Sequence, residues 1–350
     1  MKEEIIRKIT DLIKRPDISE KEILYQLKEI YDTNMRERIP VVDPKSLPEL
    51  LSGILGNIEN DQYQVKVIKT GFSDLDKLIG GFIEGEFVVF GGRPSMGKTQ
   101  LMIHIALNIS LTIPVLFLSY DLTEQIIASR CLSVLTDIET HKILNGCLTD
   151  KEKSRLAVES EAFGKYKIFI NSFPCSDIDF LKDHCMRQIK ENNIQVIVVD
   201  YLQALTFDKY RNNREHEIAR ISRELKTLAR EHHVCVIATS ALNRSAEYRD
   251  GWIGKAVHLS ELRNSGSIEQ DADKVIFIRR PEYYGIVEDV EGNSLLNVVD
   301  VMVAKNRNGV VGNISLKRTP GFTRFMDFNQ YDSDVFSFGD RVNEIDIPPF

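Results

Sequence analysis

Ile5, Ile6, Ile9, Leu12 and Ile13 fall on one helical face. Ser19 followed by Glu22 has the form of a capping box and starts a second helix running through Tyr31. Pro40, Pro44 and Pro48 then interrupt the chain. Leu47, Leu50, Leu51, Ile54, Leu55 and Ile58 repeat at three-four spacing, so a further helix carries an apolar stripe that must bury somewhere. Packing on its own domain and docking on a neighbouring subunit both satisfy that stripe. From about residue 65 short apolar runs alternate with helical stretches. Strands are predicted at Glu86–Phe90, Val115–Ser119, Lys167–Ile170, Gln195–Asp200 and Val234–Ala238. Helices are predicted at Glu124–Val134, 151–160, Asp177–Glu191 and Glu215–His232; the last places Ile218, Ile221, Leu225 and Leu228 on one face. Apolar strands between amphipathic helices predict a mainly parallel sheet covered on both faces, an α/β fold. Lys274–Arg279, Leu296–Ala304, Val311–Lys317 and Thr323–Phe328 are strand-like with no helix between them, which predicts a meander at the sheet edge. The expected organisation is a helical extension over 1–64, an α/β domain over 65–328 and a loose acidic tail over 329–350.

The 350 residues, 43% hydrophobic and 28% charged, are globular in composition and suffice for one large domain with an extension, or for two domains. No apolar run approaches the ~20 residues of a membrane span. Met1-Lys2-Glu3-Glu4 lacks the pattern of a signal peptide. Cys131, Cys147, Cys175, Cys185 and Cys235 are scattered without a C-x-x-C pair, which fits a reducing cytoplasm and argues against zinc or a disulfide framework. With a net charge of −7, a nucleic-acid partner could be held only by a local basic surface or by a channel built from several copies.

Gly92-Arg93-Pro94-Ser95-Met96-Gly97-Lys98-Thr99 is a complete G-x-x-x-x-G-K-T loop between a predicted strand and a predicted helix start. The glycines let the backbone wrap phosphates, and amides at the helix N-terminus point at the anion. Lys98 is the expected β/γ-phosphate ligand and Thr99 the expected magnesium ligand. Gln100 completes the nucleotide-binding segment. Val196–Val199 ends at Asp200, a carboxylate at a strand terminus, where it can orient the hydration shell of the magnesium ion.

Further segments carry a resemblance. Thr70-Gly71-Phe72-Ser73-Asp74-Leu75-Asp76 precedes the phosphate loop, and Asp200-Tyr201-Leu202-Gln203 closes the acidic strand. Leu242-Asn243-Arg244, Ser265-Gly266-Ser267-Ile268-Glu269-Gln270-Asp271-Ala272-Asp273 and Lys305-Asn306-Arg307-Asn308-Gly309 follow in that order. The set resembles the RecA-like motor domain of DnaB-type replicative DNA helicases over about residues 65–328. The resemblance implies a RecA-like P-loop core assembled into a homo-oligomeric ring, normally a hexamer. It implies ATP and Mg²⁺ between subunits, with Lys98, Thr99 and Asp200 on one side. Lys305 and Arg307 match the family's K-x-R pair, which reaches the neighbour's γ-phosphate as a trans-acting finger. Arg263, Asn264 and Gly266 match a channel loop that holds single-stranded DNA, and Lys209, Arg211 and Arg214 lie in a second channel-facing loop. The apolar stripe at 47–58 falls where the family docks a linker helix on the next subunit. A loader or a primase would be a further partner.

The chain departs from the family's pattern in four places. Asp121, in Leu118-Ser119-Tyr120-Asp121-Leu122, stands where the family has its glutamate general base, and is one methylene shorter. Ala241 replaces a phosphate-sensing glutamine, with Ser240 as the neighbouring hydroxyl that could substitute. Asn264 replaces a glutamate. The helical N-terminal region is short. Two functions follow: an ATP-driven helicase translocating on single-stranded DNA, or a weakly hydrolysing, nucleotide-gated ring scaffold that recruits partners.

Overall fold

Every residue of the strands at Val115–Ser119 and Val196–Asp200 is buried, as an apolar run requires when helices cover both faces of its sheet. The computed structural model describes residues 7, 9–12, 14, 19–36, 46–59, 66–172, 175–207, 213–242, 257–262, 266–289 and 291–328. The chain divides into two units, Met1–Gln64 and Val65–Phe350.

In the first unit, helix α1 covers Glu20–Arg36 and α2 covers Leu47–Glu59. Ser19 Oγ accepts the Glu22 amide at 3.3 Å and Ser46 Oγ the Glu49 amide at 3.4 Å, so both helices start on a serine cap. The first helix runs beyond Tyr31. Leu47, Leu51 and Leu55 of the predicted stripe are exposed. Ile5, Ile6, Ile13 and the side chains of Leu50, Ile54 and Ile58 lie outside the described residues.

The second unit opens with a two-stranded antiparallel pair, β1 (Val67–Ile68) and β2 (Phe82–Ile83), around helix α3 (Ser73–Ile79). Then come β3 (Phe87–Gly92), α4 (Lys98–Ser110), β4 (Val115–Ser119), α5 (Glu124–Thr136), α6 (Thr140–Asn145) and α7 (Asp150–Ser160). They are followed by β5 (Ile168–Ser172), α8 (Ile178–Asn192), β6 (Val196–Asp200), α9 (Arg214–Glu231), β7 (Cys235–Ala241) and α10 (Gly266–Asp271). Strands β8 (Lys274–Arg279), β9 (Val298–Asn306), β10 (Gly312–Arg318) and β11 (Phe325–Asp327) complete the unit. The nine-stranded sheet has the order β11-β10-β9-β8-β3-β7-β6-β4-β5. From β8 to β5 all neighbours are parallel, and β9, β10 and β11 add antiparallel.

One expectation is corrected. Strand β8 is not part of the edge meander, which is only β9–β11. It pairs parallel with β3, and Gly92 stands opposite Ile278 on one side and Ala241 on the other. A short apolar run reads the same in either setting, so only long-range pairing decided its place.

Alternating strand positions feed two cores. Val115 and Phe117 face the side of α4 and α5, whereas Leu116 and Leu118 face α8 and α9. The C-terminal ends of β3, β4, β6 and β7 therefore line up along one edge, where open α/β sheets bind ligands.

Candidate functional site

The phosphate loop leaves β3 at that edge. Gly97 caps α4 with φ 93°, and Ser95 has φ 64°. A Cβ on Gly97 would lie 2.4 Å from the Phe322 ring, so glycine is required both for conformation and for space. Met96 is buried in the core, which leaves its backbone for the loop.

Lys98 Nζ donates to the carbonyls of Gly92 at 2.8 Å and Arg93 at 3.0 Å. Burial pushes its pKa down to about 8; Asp200 opposes that shift and Arg93 adds to it. The Thr99 hydroxyl donates to Asp200 Oδ2 at 2.8 Å, and the Thr239 hydroxyl donates to Oδ1. A hydroxyl and a carboxylate are hard oxygen donors, so Thr99 and Asp200 fit a magnesium ion held partly through water. Gln100 is directed elsewhere: its carboxamide donates to Thr323 O at 2.6 Å and ties α4 to the 319–324 loop.

A cleft of about 490 Å³ opens over this loop, walled by Arg130, residues 139–141, Arg280, Gly321 and Phe322. Phe322 is held between two guanidinium groups, Arg280 at 4.8 Å and Arg318 at 5.0 Å from its ring centre. Both arginines pair with Glu282, and Arg280 also donates to Ser95 O at 2.9 Å. Burial works against ionisation of Glu282, but bonds from Arg280, the Asn297 amide and Arg318 hold its pKa at about 2. Arg130 on α5 faces Asp200 and Asp121; burial lowers its pKa and the two carboxylates oppose that shift. The sequence reading missed Arg130, Arg280 and Phe322. Phe322 carried one local signal, the Pro320-Gly321 turn before it.

Asp121 is exposed in the β4–α5 connection, which sits against the acidic strand through Tyr120 N–H to Asp200 O at 2.9 Å. At the end of β7, Ser240 is fully buried and accepts Gln203 Nε2 at 2.8 Å, while the Ala241 amide donates to Gln203 Oε1 at 3.0 Å. Gln203 thus ties the end of the acidic strand to the end of β7.

Lys305 and Arg307 lie at the other edge of the sheet. Lys305 is level with Val275, which is level with Val89, and the Arg307 amide bonds to Asp273 O. Three residue steps of β3 separate the Lys305 level from Gly92, about 10 Å at 3.3 Å per step, and Arg307, two residues further along, lies about 17 Å from it. The Lys305 ammonium caps the Glu269 and Gln270 carbonyls, and Arg307 donates to Gln270 O and to Asp273 Oδ1 at 3.4 Å. The negative end of α10 favours cations there.

Arg214 donates to Leu205 O at 3.0 Å and to Gln203 O at 2.6 Å, and pairs with Glu217, so it clasps the ends of the 205–214 segment. Gly266 begins α10. Lys209, Arg211, Asn243, Arg244, Arg263, Asn264 and the 329–350 tail lie outside the described residues.

Comparison with known proteins agrees with this geometry. Residues 67–327 match the family described as DnaB-like helicase C terminal domain. The chain is 34% identical over 304 residues to the replicative DNA helicase DnaB of Rickettsia typhi, covering 80% of this chain and 60% of that protein. It is 35% identical over 319 residues to a probable replicative DNA helicase of Trieres chinensis, covering 89% and 69%. A solved ATPase domain of G40P superposes with a TM-score of 0.72 at 30% identity, covering 81% of this chain and 99% of that one. A DnaB-like replicative helicase solved to study its interactions with primase gives 0.71 at 28% identity, covering 93% and 75%. The chain thus spans about 60% of the length of the Rickettsia protein. Among the described residues no helix is long and apolar enough to cross a membrane. A RecA-like sheet, a complete phosphate loop at its carboxyl edge and a family match over residues 67–327 together make this chain a member of the DnaB-like helicase C-terminal domain family.

Proposed function

We propose that this protein is an ATP-hydrolysing DNA helicase motor, working as a ring in which each active site is completed by two copies of the chain. The observation that carries this reading is the placement of Lys98, Thr99 and Asp200 at one sheet edge and of Lys305 and Arg307 at the other. Lys305 and Arg307 stand about 10 Å and about 17 Å along the sheet from their own phosphate loop, with their side chains turned to the Glu269 and Gln270 carbonyls, so they serve a neighbour's. The loop backbone of residues 92–97 and the Lys98 ammonium hold the β- and γ-phosphates. Thr99 and Asp200 hold magnesium, which when bound neutralises phosphate charge. Arg130 meets the γ-phosphate from the same subunit, and Phe322, fixed by Arg280 and Arg318 beside Gly97, walls the cleft. Asp121 takes the proton of the attacking water. Arg307 and Lys305 from the adjacent copy stabilise the charge that spreads over the transferred group, an effect worth ~10³–10⁵ in rate.

Single-stranded DNA passes through the ring against Arg263, Asn264, Gly266, Lys209 and Arg211, with Arg214 holding the loop that bears the last two. A few cations per copy, repeated around a channel, hold DNA within a particle of net negative charge. The exposed leucines of α2 dock on the adjacent copy. A primase, named for one solved relative, and a loader are the protein partners.

The test is steady-state ATP hydrolysis with and without single-stranded DNA, with Lys98→Ala as blank, followed by strand separation of a forked duplex. Stimulation by DNA that the variant lacks supports the motor. Hydrolysis at the blank level with ATP still bound refutes it and leaves the scaffold.

A further inference from the structure

Beneath the finger loop lies a charge pair that the nucleotide site does not use. Glu86 and Lys274, at the starts of β3 and β8, are 4% and 1% exposed and bond to each other. Burying two ions costs several kcal/mol each, and an apolar pair of similar volume is often as stable or more so. Stability alone gives no reason for the pair. The carboxylate has a second occupation: Oε2 accepts the Ile83 amide at 2.9 Å and Oε1 accepts Asn308 Nδ2 at 2.9 Å.

Asn308 follows Arg307 directly. The Arg307 amide bonds to Asp273 O at 2.9 Å, and the Asp273 carboxylate accepts the Phe87 amide at 2.7 Å and Lys226 Nζ at 2.6 Å. On the other side, Asn306 donates to Val310 O at 3.1 Å and accepts the Asn308 amide at 3.3 Å. The loop is therefore gripped through the Arg307 backbone and the Asn308 side chain, while the Arg307 side chain remains 47% exposed.

We infer that Asn308 is a positioning residue for the finger: its bond to the Glu86 carboxylate, neutralised by Lys274, presents Lys305 and Arg307 to the neighbouring subunit. An amide suits the place because it donates to a carboxylate without adding charge. An aspartate would set two carboxylates together, and a lysine would crowd the buried ammonium. The inference rests on the reading above, in which Arg307 acts across a subunit boundary.

The experiment uses the full chain. Asn308→Ala should lower kcat about 10-fold or more, the scale set by small misplacements of a catalytic group. Its affinity for a fluorescent ATP analogue should stay within about twofold, because its own phosphate loop is untouched. Mixing it with Lys98→Ala subunits should restore activity, since some interfaces then join an intact phosphate loop to an intact finger. Arg307→Ala mixed with Lys98→Ala is the reference. Asn308→Ser, too short to reach Glu86, should behave as Asn308→Ala does and serves if the latter fails to fold. Wild-type kcat in these variants overturns the inference, as does rescue of Arg307→Ala without rescue of Asn308→Ala. If neither is rescued, the trans reading itself fails and the inference falls with it.

Discussion

Raising the pH should loosen nucleotide from this protein well before a solvent lysine would lose its proton. The ammonium of Lys98 is enclosed by the phosphate loop and bonded to two carbonyls, and its pKa falls from 10.5 to about 8. Burial is the main cause; Asp200 works against it and Arg93 with it. Only the protonated form neutralises phosphate charge, so the competent fraction of the free protein sets the apparent affinity. At pH 7 about 90% of the free protein is competent, and at pH 9 about 10%, so affinity should weaken about tenfold across that interval. An unperturbed lysine near 10.4 would lose only a few per cent of its protons, leaving affinity flat. Phosphate's own second ionisation, near pH 6, lies largely below this window. The assay is titration with a fluorescent ATP analogue from pH 7 to 9.5 at fixed ionic strength. Calorimetry in two buffers at pH 8 should show uptake of about half a proton per nucleotide. Lys98→Arg, charged throughout, should bind more weakly but without a pH slope. Constant wild-type affinity up to pH 9.5, or no proton uptake at pH 8, would refute the reasoning.

Two other outcomes follow from the cleft wall. Glu282 has a folded pKa of about 2, below its unfolded value, so its contribution is present above about pH 4.5 and is lost as pH falls toward 2. Glu282→Gln should therefore destabilise the protein by about 2–3 kcal/mol at pH 7 and by little near pH 2, read from thermal unfolding across pH. Gly97→Ala should abolish most nucleotide binding while preserving the circular dichroism spectrum, because its Cβ meets the Phe322 ring. Adding Phe322→Ala removes that clash but leaves about 1–2 kcal/mol of left-handed strain, so binding should recover only in part.

The strands and helices of the parallel core were legible because their signals are local. Five consecutive buried positions at Val196–Asp200 and the face defined by Ile218, Ile221, Leu225 and Leu228 are short-range patterns that need no knowledge of neighbours. The phosphate loop was legible for the same reason. The helix at Gly266–Asp271 was not, being only six residues long and too short to show a period. Asp121 and Ala241 were visible as departures, with Ser240 as the neighbouring hydroxyl; that this hydroxyl is buried and bonded to Gln203 was not visible, because the bond joins two strand ends 37 residues apart.

By itself, then, the sequence determined that residues 92–99 form a phosphate loop between strand and helix, that Asp200 ends a buried strand, and that a parallel sheet holds both. Each follows from residue types at fixed short spacing. Tertiary structure alone decided which distant groups meet. Thr99 reaches Asp200 across 101 residues and Asn308 reaches Glu86 across 222. It also decided that β8 joins the parallel core and that β9, antiparallel beside it, carries Lys305 and Arg307 to the edge away from their own phosphate loop. Strand order and direction come from pairing between segments far apart in the chain, which no local period encodes. That order separates the two halves of the proposed active site within one copy.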